Sequence, residues 1–186
     1  SLEWLVIARH LVERYGGKPE LAAGFAEQLP LADNSVAAIV SLDVIEHVGD
    51  QDAYVSDLRR VLKPGGFFGL STPNRFSLSP EPHVNVWGVG YLPRSLQARY
   101  VKLVKNQPYT FTRLLSVRET KKLFSGSRGF EAEVVFPTIP EQELSGFKSA
   151  KKRLALIYNW MVGIPLVKLF LPFFGAYYRV SGNIKN

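Results

Sequence analysis

The chain has 186 residues, 46% of them hydrophobic and 21% charged, with a formal net charge of +7. That is enough apolar material for one packed domain, and it argues against compositional disorder. There is no cysteine, which excludes disulfides, thiolate metal sites and a cysteine nucleophile.

Ser1-Leu2-Glu3-Trp4 lacks the basic start and small-residue cleavage site of a secretory leader, so a cytoplasmic location is expected. Ser1 suits a helix N-cap and Glu3 the positive helix end. Trp4, Ile7, Leu11 and Tyr15 recur at helical spacing until Gly16-Gly17. Leu21-Ala22-Ala23 predicts a short strand leading into Phe25-Ala26-Glu27. Val36 to Leu42 is nearly all apolar and reads as a parallel strand buried on both faces. Tyr54, Val55, Leu58, Val61 and Leu62 mark one face of a helix, which Lys63-Pro64-Gly65-Gly66 ends. Phe67 to Thr72 is the next strand.

Residues 76–112 break that rhythm with Pro, Gly and aromatics, and read as an inserted cap over the sheet edge. Ser116-Val117-Arg118-Glu119 is a capping box that opens a helix running to about Phe124. Phe130 to Phe136 reads as a strand, and Tyr177 to Lys185 as an edge strand. Residues 150–178 are strongly apolar but interrupted by Pro165, Lys168 and Pro172, which argues against a simple membrane span. Lys151-Lys152-Arg153 before them suits anionic headgroups. A buried crossover and a peripheral membrane contact or lipid tunnel both fit that segment. The alternation of helices with apolar strands predicts an α/β fold with a mostly parallel sheet.

In open parallel sheets, ligands bind beyond the carboxyl ends of the strands. That edge should gather Ser41, Leu42, Asp43 and His47, with Phe25 to Glu27 beside them. Asn74 and Arg75 should form the opposite wall. Three blocks then carry a resemblance: Phe25-Ala26-Glu27-Gln28-Leu29-Pro30, Ser41-Leu42-Asp43-Val44-Ile45-Glu46-His47-Val48 and Arg60-Val61-Leu62-Lys63-Pro64-Gly65-Gly66. In order and spacing they look like the middle third of a class I S-adenosylmethionine-dependent methyltransferase of the small-molecule type. Ser71-Thr72-Pro73-Asn74-Arg75 is similar to the segment after the fifth strand in ubiquinone-biosynthesis O-methyltransferases.

The resemblance implies a Rossmann-like sheet and S-adenosylmethionine as cofactor. It implies cofactor contacts at Phe25, Ala26, Glu27, Ser41, Leu42 and Asp43. Phe25 stands where such proteins usually have an acid for the adenine, so either Glu27 substitutes or Phe25 stacks on the base. The family's Gly-rich loop and ribose-binding acid have no counterpart here. Ser1 to Leu5 looks like the stretch just after that acid, so the domain is expected to lack its first two strands and to bind cofactor poorly alone.

Three readings stand for Asp43, Glu46 and His47. They make local hydrogen bonds in a loop; or His47 takes the proton of a substrate hydroxyl; or the cluster holds a divalent cation. The third is implied by similarity to the metal-binding cluster of the ubiquinone O-methyltransferases, and no residue is assigned to a metal. His83, with Trp87 nearby, is the second catalytic candidate; its alternative is a loop histidine bonded to backbone. His10 belongs to a solvated helix face. Methyl transfer from a sulfonium needs alignment more than side-chain chemistry, so no triad need be visible. The expected function is methyl transfer to a small-molecule or lipid-linked acceptor, at oxygen. The alternative is a non-catalytic remnant of the same fold that serves as a binding module. No nucleic-acid recognition motif accompanies Arg94, Arg99, Lys102 and Lys105, so nucleic acid is not an expected partner.

Overall fold

The computed structural model describes residues 2–185. Helix α1 spans Leu2–Arg14 and stops at Gly16, which takes a φ of +79°; the Ser1 cap lies outside the described residues. Its predicted apolar positions Trp4, Ile7, Leu11 and Tyr15 are all exposed. No strand forms at Leu21 to Ala23, since no neighbouring strand offers these residues a hydrogen-bonding partner.

Strand β1 covers Val36–Leu42, as the sequence predicts, but it is not buried on both faces. Among the described residues it pairs with β2 (Leu62–Pro73) along one edge, and Val40 and Leu42, two residues apart on the same face, are exposed because no described element covers that face. Between them, helix α2 (Gln51–Val61) is capped by Asp50, whose carboxylate accepts the N–H groups of Asp52 and Ala53. Tyr54, Val55, Leu58 and Val61 form its buried face. The helix ends before Pro64, which has no N–H to continue it, and β2 starts at Leu62, earlier than predicted.

The sheet order is β1-β2-β4-β3, with β3 at Phe130–Val135 and β4 at Tyr177–Ile184. Strands β1 and β2 are parallel, while β4 is antiparallel to both β2 and β3. Three strands therefore run one way and one runs against them. The predicted edge strand at the carboxyl end is instead an inner strand. It fills the slot between β2 and β3, where Tyr178 and Val180 are fully buried. Gly182 permits this fit, because a Cβ there would lie 1.8 Å from the Glu131 carbonyl oxygen.

The core sits between α2, the sheet and helix α4 (Val117–Leu123). Phe68 has no exposed surface; its ring stacks 5.2 Å from Phe124 and meets Phe130 edge-on at 5.3 Å. Burying one such ring is worth about 1.5–3 kcal/mol, with some further gain from the aromatic geometry. The predicted capping box at α4 is present: Ser116 Oγ accepts from the Glu119 N–H, and Glu119 accepts from the Ser116 N–H.

Residues 76–112 leave β2 at Asn74-Arg75 and return at Leu115, where the Arg75 N–H donates to the Leu115 carbonyl at 3.0 Å. They carry helix α3 (Arg94–Lys105) and a separate small core of Val84, Val86, Val89, Val101 and Tyr109. The cap closes over the carboxyl end of β2. Asn74 and Arg75 therefore brace rather than line a ligand wall. Asn74 Nδ2 donates to the Pro172 and Gly175 carbonyls, and Arg75 Nε to the Gly90 carbonyl.

Four helices follow β3: α5 (Glu141–Ser145), α6 (Ser149–Gly163), α7 (Pro165–Lys168) and α8 (Leu171–Phe174). Pro165 and Pro172 break the run, each sitting at a helix start where its missing N–H costs nothing. The segment is not a buried crossover, because much of its apolar surface faces outward.

Candidate active site

At the end of β1 the chain turns sharply. Asp43 adopts a φ of 54°, uncommon for a residue with a Cβ, and its N–H donates to the Ser71 carbonyl at 3.0 Å. A single 3₁₀ turn, Ile45–His47, then folds back under the end of β2. This turn points Glu46 inward and His47 outward. Gln51 anchors it from α2 by donating to the Ile45 and Arg113 carbonyls at 2.9 Å each.

Glu46 is 1% exposed. One oxygen accepts from the Thr72 hydroxyl at 3.0 Å; the other, Oε1, is buried with no protein partner. Burial pushes its carboxyl above the usual carboxylate range, against the Thr72 bond and the nearby His47.

The structure brings the two candidate histidines together, although they lie 36 positions apart in the chain. Their Nε2 atoms are 3.1 Å apart and the rings meet edge to face at 4.7 Å. His47 Nδ1 is 3.3 Å from the Phe111 carbonyl oxygen, and His83 Nδ1 is 2.5 Å from Glu81 Oε1. Glu81 is itself buried, and its second oxygen accepts the N–H groups of His83 and Val84. Both Nδ1 atoms thus face acceptors, which favours the tautomers that carry hydrogen there. The neutral tautomers then aim two bare Nε2 lone pairs at each other. A cation between them, either a proton or a metal ion, removes that repulsion. Among the described residues, Glu46, His47 and His83 form a possible metal cluster, each offering one ligand atom within 4.8 Å of the others.

A cleft of about 300 Å³ opens beside this pair, walled by Asp43, Glu46, Pro73, His83 and Tyr177. The Tyr177 hydroxyl donates to the Asp43 carboxylate. Burial and that carboxylate push the phenol up to about 12, so it stays a donor at neutral pH. A second cleft of about 660 Å³ shares Ser79, Ala176 and Tyr177 with the first and runs on between Ile139, Phe147, Leu154 and Tyr158. A further cleft of about 730 Å³ runs alongside β3 around Lys121 and Gly126, away from these groups.

The six predicted cofactor residues divide. Ser41, Leu42 and Asp43 sit together where β1 ends, with Leu42 64% exposed. The Ser41 hydroxyl accepts from Tyr54 at 2.7 Å. Phe25 is 80% exposed, while Ala26 packs against the core. Glu27 is a brace: its Oε1 accepts the Gly49 N–H at 2.8 Å and the Asp50 N–H at 3.4 Å. Bonds from its own backbone N–H and these two hold its carboxyl below the usual range. Of the two, Glu27 is engaged by backbone N–H groups and Phe25 is exposed.

Neither Glu81 nor Tyr177 was anticipated. Glu81 could have been found as the acid two residues before His83. Tyr177 reaches Asp43 across 134 residues, and no local pattern marks it.

Comparison with known proteins bears on these residues. Residues 1–70 match the family model described as a methyltransferase domain. A Mycolicibacterium smegmatis protein described as a probable S-adenosylmethionine-dependent methyltransferase is 46% identical over 71 residues, which are 38% of this chain and 27% of that protein. A ubiquinone biosynthesis O-methyltransferase of Maricaulis maris is 38% identical over 85 residues, 44% of this chain and 33% of the relative. The chain thus spans about a quarter to a third of these relatives' length. An S-adenosylmethionine-dependent methyltransferase structure from Mesorhizobium loti shares the fold, with a TM-score of 0.52 and 18% identity over 91% of this chain and 73% of that one.

Proposed function

We propose, from the premise that this chain carries part of a class I S-adenosylmethionine-dependent methyltransferase domain, that it methylates a hydroxyl of a small or lipid-linked acceptor held in the cleft beside His47 and His83. The observation that supports this most is the pair of Nε2 atoms 3.1 Å apart at the carboxyl edge of the sheet.

The cofactor, when bound, supplies a methyl group already activated on a sulfonium. The residues fit such a group. Strand β1 lacks a partner along one side among the described residues, so alternate backbone groups up to Leu42 are free to bond a ligand. The Phe25 ring is open to a purine face. Tyr177 and Asp43 fix the floor of the acceptor cleft. His47 and His83 take the acceptor's hydroxyl proton, which comes to rest between their Nε2 atoms and relieves the lone-pair repulsion. Glu81 and the Phe111 carbonyl hold both tautomers ready for it. The adjoining apolar cleft gives room for a hydrophobic tail on the acceptor.

A second reading has a specific observation behind it. The unpartnered Glu46 Oε1 and the two Nε2 atoms suit a divalent cation. Such an ion would stabilise the acceptor's oxyanion. Glu46, His47 and His83 would hold it.

The test is methylation of an alkyl catechol by the protein that carries this chain, with S-adenosylhomocysteine affinity measured in parallel. His83→Ala should lower kcat by about 10²–10⁴ and leave S-adenosylhomocysteine affinity within error. Unchanged kcat would remove the histidines from the chemistry. Loss of activity on chelation, restored by Mn²⁺ in the wild type but not in Glu46→Gln, would favour the second reading.

A further inference from the structure

The charge of this chain is unevenly placed. Residues 144–186 contain Lys148, Lys151, Lys152, Arg153, Lys168, Arg179 and Lys185 and no acid. These seven cations equal the whole net charge of +7, since the other 16 basic residues are matched by 16 acids. Four of the seven, Lys148 to Arg153, crowd the amino end of α6. Cations there oppose the helix dipole, and α6 has no acidic residue in its first turn.

The same segment carries a run of outward apolar residues. On α6, Leu154, Ile157 and Trp160 follow one another at three-residue spacing, and Trp160 is 68% exposed. Leu166, Leu169, Phe170 and Phe173 extend the surface through α7 and α8. The opposite face of α6, at Ala155 and Val162, is buried against the domain. Among the described residues, no helix is long and apolar enough to cross a membrane.

We propose that the outer face of α6, α7 and α8 seats on an anionic lipid bilayer, with the basic residues at the headgroups and Trp160, Leu166, Leu169 and Phe173 in the interface. The two halves of the patch are what such a surface recognises: apolar area for the acyl boundary and cations for the phosphates. A second copy of this chain is a poorer occupant, because stacking the patches would face uncompensated positive charge with its like. The proposal does not depend on the methyl-transfer reading. Its consequence for that site is geometric: Leu154 and Ala155 of α6 line the apolar cleft that reaches Tyr177, so that cleft opens close to the seated face.

The experiment is sedimentation of the chain with sucrose-loaded vesicles of phosphatidylglycerol and phosphatidylcholine, and with phosphatidylcholine alone. Trp4→Phe and Trp87→Phe leave Trp160 as the single tryptophan reporter, quenched by brominated lipid. Pelleting with the anionic vesicles, release by high salt and quenching of Trp160 are expected. Lys151→Ala, Lys152→Ala and Arg153→Ala together should lower partitioning about a hundredfold, with unchanged circular dichroism showing that the fold persists. Three outcomes would overturn the proposal: no pelleting at low salt; pelleting without Trp160 quenching, which heparin competes away; or a concentration-dependent dimer that Trp160→Ser abolishes.

Discussion

The two sides of this sheet differ in what holds them. The β2–β4–β3 side is built around Phe68, Phe124, Phe130 and Tyr178, with the cap and C-terminal helices fastened to it by Asn74 and Arg75. On the β1 side, among the described residues, there is one partner strand, Leu42 is exposed, and α1 leaves Trp4, Ile7, Leu11 and Tyr15 exposed. The cleft beside His83 lies where the two sides meet: Asp43, Glu46 and His47 follow β1, while Pro73, His83 and Tyr177 come from β2, the cap and β4. The expected cofactor residues Phe25 and Leu42 belong to the β1 side, where little packing fixes a side chain. The described chain thus joins a half preorganised by its own core to a half that is open.

Core and edge substitutions measure that contrast most directly. Phe68→Ala should cost about 3–5 kcal/mol, read as a lower midpoint in urea unfolding. Were the loss below about 1 kcal/mol, the well-packed side would be no better held than the open one. Next in size is Glu119, at the junction of cap and core. Burial opposes its ionisation, but bonds from the Ser116 N–H and from Arg94 and the Ser116 hydroxyl overcome that and hold its carboxyl at about 2. A depressed carboxylate stabilises the fold above its unfolded value of about 4.3 and loses that contribution as pH falls towards 2. Glu119→Gln should cost about 1 kcal/mol at pH 7 and flatten the acid limb of thermal stability between about pH 4 and pH 2. An unaltered acid limb would separate Glu119 from cap docking. The smallest effect is expected on the open side. Leu42→Ala should change stability by less than about 0.5 kcal/mol while weakening S-adenosylhomocysteine binding in the protein that carries this chain. A large stability loss there would show that the β1 edge is packed after all.

What local pattern determines was readable in the sequence. The apolar run Val36–Leu42, the helix with its face at Tyr54, Val55, Leu58 and Val61 and its stop at Pro64, and the Ser116–Glu119 capping box each depend on contacts within a few residues. The blocks at Phe25, Ser41 and Arg60 named the fold for the same reason, since their order and spacing are linear properties. Three things were decided only in the tertiary structure. Strand β4 took an inner slot because β2 and β3 both lacked a neighbour there, and a strand's place in a sheet is set by its partners and not by its own alternation. Burial of β1 failed because a strand apolar on both faces needs a layer packed over each, and no described element covers Val40 and Leu42. The His47–His83 pair, the Glu81 that orients it and the Tyr177 beneath it come from segments up to 134 residues apart. Closing such long loops leaves no periodic trace in sequence, so the chemistry of the edge was legible residue by residue, whereas its geometry was not.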